Sequence, residues 1–111
     1  MINKIKKAIK NRLYREIEEK DIDLQEAKQL QKDGAIIVDV RSPQEYREGH
    51  IDGSISIPEY EIKKEIENMI VDKNKNIVVY CSSGGRSKKA QKTLNTLGYK
   101  NVYNIYEGYF I

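Results

Sequence analysis

The segment that begins at Cys81 has the residue types needed for covalent chemistry on a bound anion. The apolar run Ile77-Val78-Val79-Tyr80 precedes it and is typical of a buried strand. Cys81 is therefore expected at the carboxyl end of a strand, where sites form in open α/β sheets. Small residues after it would let the backbone curl and point successive N–H groups at one place. The candidate loop consists of Ser82, Ser83, Gly84, Gly85, Arg86 and Ser87.

The surroundings of Cys81 are expected to favour a thiolate. The positive end of the following helix and the guanidinium of Arg86 should both hold the pKa of the thiol below its usual value of about 8.5. A thiolate there can attack the outer sulfur of a donor such as thiosulfate, and the same field stabilises the resulting persulfide. A second nucleophile then removes the sulfur, so no metal or organic cofactor is required. Ser87 is expected either to be the N-cap or a first-turn residue of that helix, or to contact the substrate.

Two other interpretations of Cys81 remain open. Inert buried thiols are common in protein cores, but such a thiol would not need two glycines, an arginine and a helix start beside it. A cysteine phosphatase or an arsenate reductase would use a related loop with five residues between nucleophile and arginine, whereas four separate Cys81 from Arg86. The shorter loop favours a single sulfur atom over a tetrahedral phosphate, so we expect sulfur transfer.

Strands and helices alternate along the chain. Strand patterns occupy residues 35–40, 51–57, 77–80 and 102–106. The alternation predicts an α/β fold of three layers, in which a mostly parallel central sheet is flanked by helices on both faces. Helices are predicted at residues 2–17, 23–34, 42–49, 59–70 and 88–97. Asp23 is the predicted N-cap of the second, with Glu26 as its capping-box partner, and the third starts at Ser42 with Pro43 in its first turn.

The composition is that of an ordinary globular domain. The chain has 111 residues, of which 39% are apolar and 33% are charged. A single cysteine excludes an internal disulfide and a multi-cysteine metal site. No apolar run is long enough to cross a bilayer or to serve as a signal peptide. We therefore expect a cytoplasmic protein without a metal.

Positive charge is concentrated at the start of the chain. The net charge is +3, but the first 15 residues carry +6 and no acid, and the mixed charges of the remainder argue against nucleic-acid binding. Apolar residues spaced by three and four predict an amphipathic helix there. We assign residues 1–20 to an extension and residues 21–111 to the domain. Docking of that helix on the domain is favoured over contact of residues 1–18 with an anionic membrane surface or an acidic partner.

Three segments occur in a fixed order along the chain: Asp39-Val40-Arg41 with Glu45-Tyr46, then Gly49-His50-Ile51-Asp52-Gly53-Ser54 with Ile57-Pro58, then Cys81-Ser82-Ser83-Gly84-Gly85-Arg86-Ser87. Taken together, they resemble the rhodanese (thiosulfate sulfurtransferase) family, specifically its single-domain members, over about residues 22–109. The resemblance implies the rhodanese-like fold, a persulfide on Cys81, backbone amides from Ser82 to Arg86 around the outer sulfur, and donor binding by Arg86.

The same resemblance implies supporting roles away from the loop. Asp39 would accept hydrogen bonds from amides at its strand end, and Arg41 would pair with Glu45 or with another carboxylate. His50 is expected to be a packed, hydrogen-bonded residue of the fold and not a catalytic base. Family members commonly continue beyond a Gly-Gly pair into a helix with an aromatic residue, whereas this sequence stops at Ile111. We expect a thinner pocket wall there unless the N-terminal extension covers it.

The leading hypothesis is a sulfurtransferase that moves sulfane sulfur through a Cys81 persulfide. The donor would be thiosulfate or a persulfide, and the acceptor a thiol, a protein or a cyanide-type nucleophile. The alternative is a weakly active relay or adaptor module that binds a protein partner.

Overall fold

The computed structural model describes residues 18–109, built around one five-stranded sheet. Within those residues all strand pairings are parallel and the strand order is β1-β5-β4-β2-β3. This confirms the predicted α/β fold with a parallel sheet. The helix predicted for residues 2–17, which makes up most of the proposed extension at residues 1–20, lies outside the described residues. The strands are β1 (Asp21–Ile22), β2 (Ile36–Asp39), β3 (Ile55–Ser56), β4 (Ile77–Tyr80) and β5 (Val102–Ile105).

In the described part of the chain, four α-helices connect the strands. The predicted N-cap Asp23 is confirmed, because its side chain accepts from the Glu26 amide and completes a capping box with Glu26. Ser42, where the next helix was predicted to start, is the N-cap of that helix and forms a second capping box with Glu45. The helices are α1 (Leu24–Lys32), α2 (Pro43–Glu48), α3 (Ile62–Met69) and α4 (Gly85–Thr96).

Several element boundaries differ from the predictions. Strand β1 was not predicted because two residues are too short to show a periodic pattern. The strand predicted at 51–57 is only Ile55–Ser56, since a turn closes with Ser54 N–H donating to the Ile51 carbonyl at 3.0 Å. The helix expected from residue 59 opens with the 3-10 turn Glu59–Glu61. Helix α4 begins at Gly85, three residues earlier than predicted.

The core lies on both faces of the sheet, since β4 points successive side chains to opposite sides. Ile77 and Val79 pack with residues of α3 and α4, whereas Val78 and Tyr80 pack with residues of α1. Each fully buried aliphatic side chain contributes about 2 kcal/mol to folding. Cys81 continues the face of Ile77 and Val79, and is thereby aimed at α4.

Candidate active site

The loop between β4 and α4 folds back over Cys81. Gly84 is the N-cap of α4 and has φ +89°, a left-handed conformation that an L side chain rarely adopts. This conformation brings the Gly84 amide to 3.0 Å from the Cys81 sulfur. Gly85 was expected among the small residues that let the backbone curl. It is instead already helical, and an added Cβ there would meet no described atom within 4 Å.

The sulfur of Cys81 is fully buried and accepts hydrogen bonds from the start of α4. Besides the Gly84 amide, the Ser87 amide lies 3.4 Å from Sγ and the Ser87 hydroxyl is also 3.4 Å away. Burial by itself raises the pKa of the thiol. The Ser87 hydroxyl and the amides of Ser87, Ser83 and Gly84 outweigh burial, so the pKa lies below its ordinary value. The side chain therefore points into the loop, as a nucleophile requires.

Ser87 lies in the first turn of α4 and is fully buried. It is not the N-cap, because Gly84 holds that position. Its hydroxyl and its amide both lie 3.4 Å from Cys81 Sγ, which places Ser87 beside the thiol and not on the outer surface of the loop.

Ser87→Ala should make the thiol less acidic. The hydroxyl that helps to lower the pKa of Cys81 is removed, so the midpoint of a pH series of iodoacetamide alkylation should rise and the rate at pH 7 should fall. Ser82→Ala is the matched control, since the Ser82 hydroxyl accepts from Arg86 at 3.1 Å. An unchanged midpoint in Ser87→Ala would contradict the role given to this hydroxyl.

Arg86 and Glu45 form an ion pair at the mouth of the loop. The guanidinium donates from Nη1 to Oε1 at 2.8 Å and from Nη2 to Oε2 at 3.1 Å. This hydrogen bond is the main reason that the pKa of Glu45 falls to about 2. Arg86 was predicted to bind an anionic donor, and in the structure its guanidinium is paired with a carboxylate. Glu45 was predicted as a possible partner of Arg41, and in the structure it is the partner of Arg86.

Asp39 and Arg41 form a buried pair at the end of β2. Asp39 accepts from the Arg41 amide at 2.9 Å and from its guanidinium at 2.7 to 3.1 Å. The partner of Arg41 is thus the other carboxylate that the sequence allowed. Arg41 also donates to the Gly49 carbonyl at 2.7 Å. These bonds tie the Gly49-His50 segment to the strand end beside the loop.

Tyr80 completes this network. Burial raises the pKa of its phenol to about 12, so the hydroxyl stays protonated and donates to Asp39 at 2.7 Å. The same oxygen accepts from the Ile51 amide at 3.1 Å. Sequence reasoning missed Tyr80, although its position directly before Cys81 in a buried strand was a usable signal.

Tyr80→Phe should destabilise the fold while Cys81 itself is unchanged. The Ile51 amide would lose its partner in a buried region, at a cost of about 2 kcal/mol. Urea unfolding followed by circular dichroism would measure this loss. Tyr60→Phe is the matched control. Because Tyr60 is 72% exposed, the free energy of unfolding of this variant should equal that of the wild type. Equal effects of the two substitutions would contradict the network.

His50 is packed against helix α2. Its ring stacks on Tyr46 at a centroid distance of 3.7 Å, and Nδ1 lies 2.7 Å from the Tyr46 carbonyl oxygen. The Tyr46 hydroxyl in turn donates to the Ser54 carbonyl at 2.6 Å. This is the packed, hydrogen-bonded position expected for His50.

The segment after β5 supports the loop from the side. The Tyr109 amide donates to the Cys81 carbonyl at 2.9 Å, and the Tyr109 ring meets Tyr80 edge-on at 5.5 Å. Gly108 packs so closely that an added Cβ would lie 2.1 Å from the Ser82 carbonyl oxygen. Sequence reasoning had expected only a thin wall here and missed this contact.

Among residues 18–109, no group of three or more His, Cys, Asp and Glu side chains is placed to hold a metal ion. No helix in that part of the chain is long and apolar enough to cross a membrane.

Comparisons with known proteins agree with this geometry. A profile of the rhodanese-like domain matches residues 23–110, which is most of the chain. The chain belongs to the rhodanese-like family, whose members include sulfurtransferases. The human single-domain sulfurtransferase TSTD1 superimposes with a TM-score of 0.72 at 25% identity, over 83% of this chain and 93% of that one.

Two curated relatives differ in their chemistry. The thiosulfate sulfurtransferase PspE of Escherichia coli is 40% identical over 67 residues, which are 60% of this chain and 64% of that protein. A tRNA uridine(34) hydroxylase of Buchnera aphidicola is 36% identical over 84 residues, which are 71% of this chain and 27% of that protein. The chain thus spans less than two thirds of the length of each.

Proposed function

We propose that this protein is a sulfurtransferase that carries sulfane sulfur on Cys81. It takes the sulfur from thiosulfate or a persulfide and passes it to a thiol or to a cyanide-type acceptor. The observation that carries the proposal is the sulfur of Cys81 accepting from the Gly84 and Ser87 amides at the start of α4. Those donors stabilise an anionic sulfur both before and after the transfer.

The reaction follows from a thiolate in that position. Cys81 S⁻ attacks the outer sulfur of thiosulfate, a new S–S bond forms, and sulfite leaves with the electron pair of the broken S–S bond. The product is the anionic persulfide Cys81–S–S⁻. An acceptor such as cyanide then attacks the outer sulfur, so that thiocyanate forms and the thiolate returns.

The named relatives support sulfur transfer more strongly than tRNA hydroxylation. PspE is named for thiosulfate sulfurtransfer, and the match spans most of its length. The hydroxylase match spans about a quarter of that enzyme, so we propose for this chain the sulfur chemistry and not the hydroxylation. Phosphate hydrolysis is disfavoured by the loop length and would show as turnover of a phosphotyrosine surrogate.

Intact-protein mass spectrometry tests the proposal. Incubation with thiosulfate should add the mass of one sulfur atom, and cyanide should remove it as thiocyanate. Cys81→Ser treated in the same way should show no adduct. Failure of the wild type to gain sulfur from thiosulfate and from persulfide donors would contradict the proposal.

A relay module is the second candidate, and burial of Cys81 favours it. The sulfur is fully buried and Arg86 is already paired, so a protein donor that reshapes the loop could load the site where thiosulfate does not. Rapid loading from a cysteine-desulfurase persulfide with negligible loading from thiosulfate would support this candidate. Equal loading from both would contradict it.

A further inference from the structure

The arginine expected to bind an anionic donor is already occupied. Both ends of its planar fork contact the carboxylate of Glu45, at 2.8 and 3.1 Å. Such a bidentate pair uses the geometry that would otherwise hold an oxyanion. Arg86 also donates to the Ser82 hydroxyl at 3.1 Å, so the pair lies across the outside of the loop that covers Cys81.

Glu45 is fixed in this position by its own helix. Its Oε1 accepts from the Ser42 amide at 3.1 Å while its amide donates to the Ser42 hydroxyl at 3.2 Å, which completes the capping box of α2. About a third of the carboxylate side chain is exposed, so solvent and an approaching donor both meet its charge. Its pKa of about 2 keeps it ionised throughout the physiological pH range.

We propose that Glu45 is a specificity-determining residue that disfavours small, highly charged anions at this site. The inference rests on the proposed function and deepens it. A donor such as thiosulfate, with two negative charges, must approach the Glu45 carboxylate and compete with it for Arg86. A donor with fewer negative charges meets less repulsion and needs Arg86 less, so the site discriminates among donors by charge.

Two pairs of reagents separate charge from reactivity. Thiosulfate and methanethiosulfonate both deliver their outer sulfur to Cys81 S⁻, and release sulfite or methanesulfinate with the electron pair of the broken S–S bond. Thiosulfate carries two negative charges, and methanethiosulfonate carries one. Iodoacetate and iodoacetamide both alkylate the thiolate and release iodide. Iodoacetate carries one negative charge, and iodoacetamide is neutral. The second pair needs no sulfur transfer at all.

Glu45→Gln removes the charge and keeps the helix start, because glutamine also completes a capping box. We expect second-order rate constants to rise about threefold per negative charge of the reagent at low salt, as for a charge pair near a protein surface. The rise should be about tenfold for thiosulfate, and about threefold for methanethiosulfonate and for iodoacetate. Iodoacetamide should react at nearly the wild-type rate, and it corrects for any change in thiolate fraction or access.

Two further variants complete the test. Glu67→Gln is the matched control, because it removes a carboxylate paired with Lys73 at 2.7 Å near the far end of α4 and should leave all four rates unchanged. In Glu45→Gln combined with Arg86→Gln, the gain for thiosulfate should disappear, since no guanidinium is freed.

The results decide the inference separately from the proposed function. An equal increase in the rate constants of all four reagents in Glu45→Gln would mean that the Glu45–Arg86 pair only restricts access to Cys81. Unchanged ratios between the rate constants would mean that Glu45 only caps its helix. Either result would overturn the inference. If neither sulfur donor loads any variant, the proposed function fails. The ratio of iodoacetate to iodoacetamide rates still decides whether Glu45 discriminates by charge.

Discussion

Replacing Cys81 with serine is expected to abolish formation of thiocyanate from thiosulfate and cyanide. A serine hydroxyl is not ionised near neutral pH and cannot hold the transferred sulfur, so the rate should fall at least about a thousandfold. The assay is thiocyanate release under saturating donor. The substitution exchanges sulfur for a smaller oxygen that can still accept from the Gly84 amide, so the variant should remain folded.

Folding of the serine variant is checked by its urea unfolding midpoint, which should stay close to the wild-type value. Turnover that persists in a folded Cys81→Ser protein would show that another group carries the reaction. The chain has no second cysteine, so no thiol could substitute for the one removed.

Gly108→Ala is expected to damage the loop from outside. The new Cβ would lie 2.1 Å from the Ser82 carbonyl oxygen and 2.8 Å from the Ser83 nitrogen, so the backbone on one side must move. Gly108 also has φ +81°, where an L residue is strained. The overlap and the strain together should cost about 4 kcal/mol. Because the displaced residues follow Cys81, sulfur transfer should fall by about tenfold or more.

Gly34→Ala separates overlap from strain. Gly34 has φ +104°, but an added Cβ would meet no described atom within 4 Å. Its cost should be only about 1 kcal/mol, with activity unchanged. Urea unfolding and thiocyanate release measure both variants. A Gly108→Ala protein as stable and as active as Gly34→Ala would contradict the support that the C-terminal segment gives to the loop.

The sequence was sufficient to predict most of the sheet and the position of Cys81 at its edge. Buried-strand patterns at 35–40 and 77–80 are strong because parallel strands are covered on both faces. A cysteine at the end of such a strand, followed by small residues and a helix, is constrained to the carboxyl edge of the sheet. The capping box of Asp23 and Glu26 is a local signal of the same kind.

The contacts that complete the site are long-range and left little trace in the sequence. Glu45 and Arg86 are 41 positions apart, and a single Glu or Arg does not identify its partner. For that reason Glu45 was expected only as one possible partner of Arg41, and Arg86 was expected to be available to a donor. Tyr109 meets Cys81 through backbone atoms, which no side-chain pattern encodes. The two-residue strand β1 exists only because β5 pairs with it.

The most direct test is a spectroscopic titration of the wild-type thiol, followed by thiolate absorbance, with Cys81→Ser subtracted as the tyrosine background. If the amides of the loop and Ser87 hold the sulfur as an anion, the midpoint must lie below the ordinary cysteine value of about 8.5. A midpoint at or above that value would mean that burial of Cys81 prevails over its hydrogen bonds. The thiol would then be an inert part of the core.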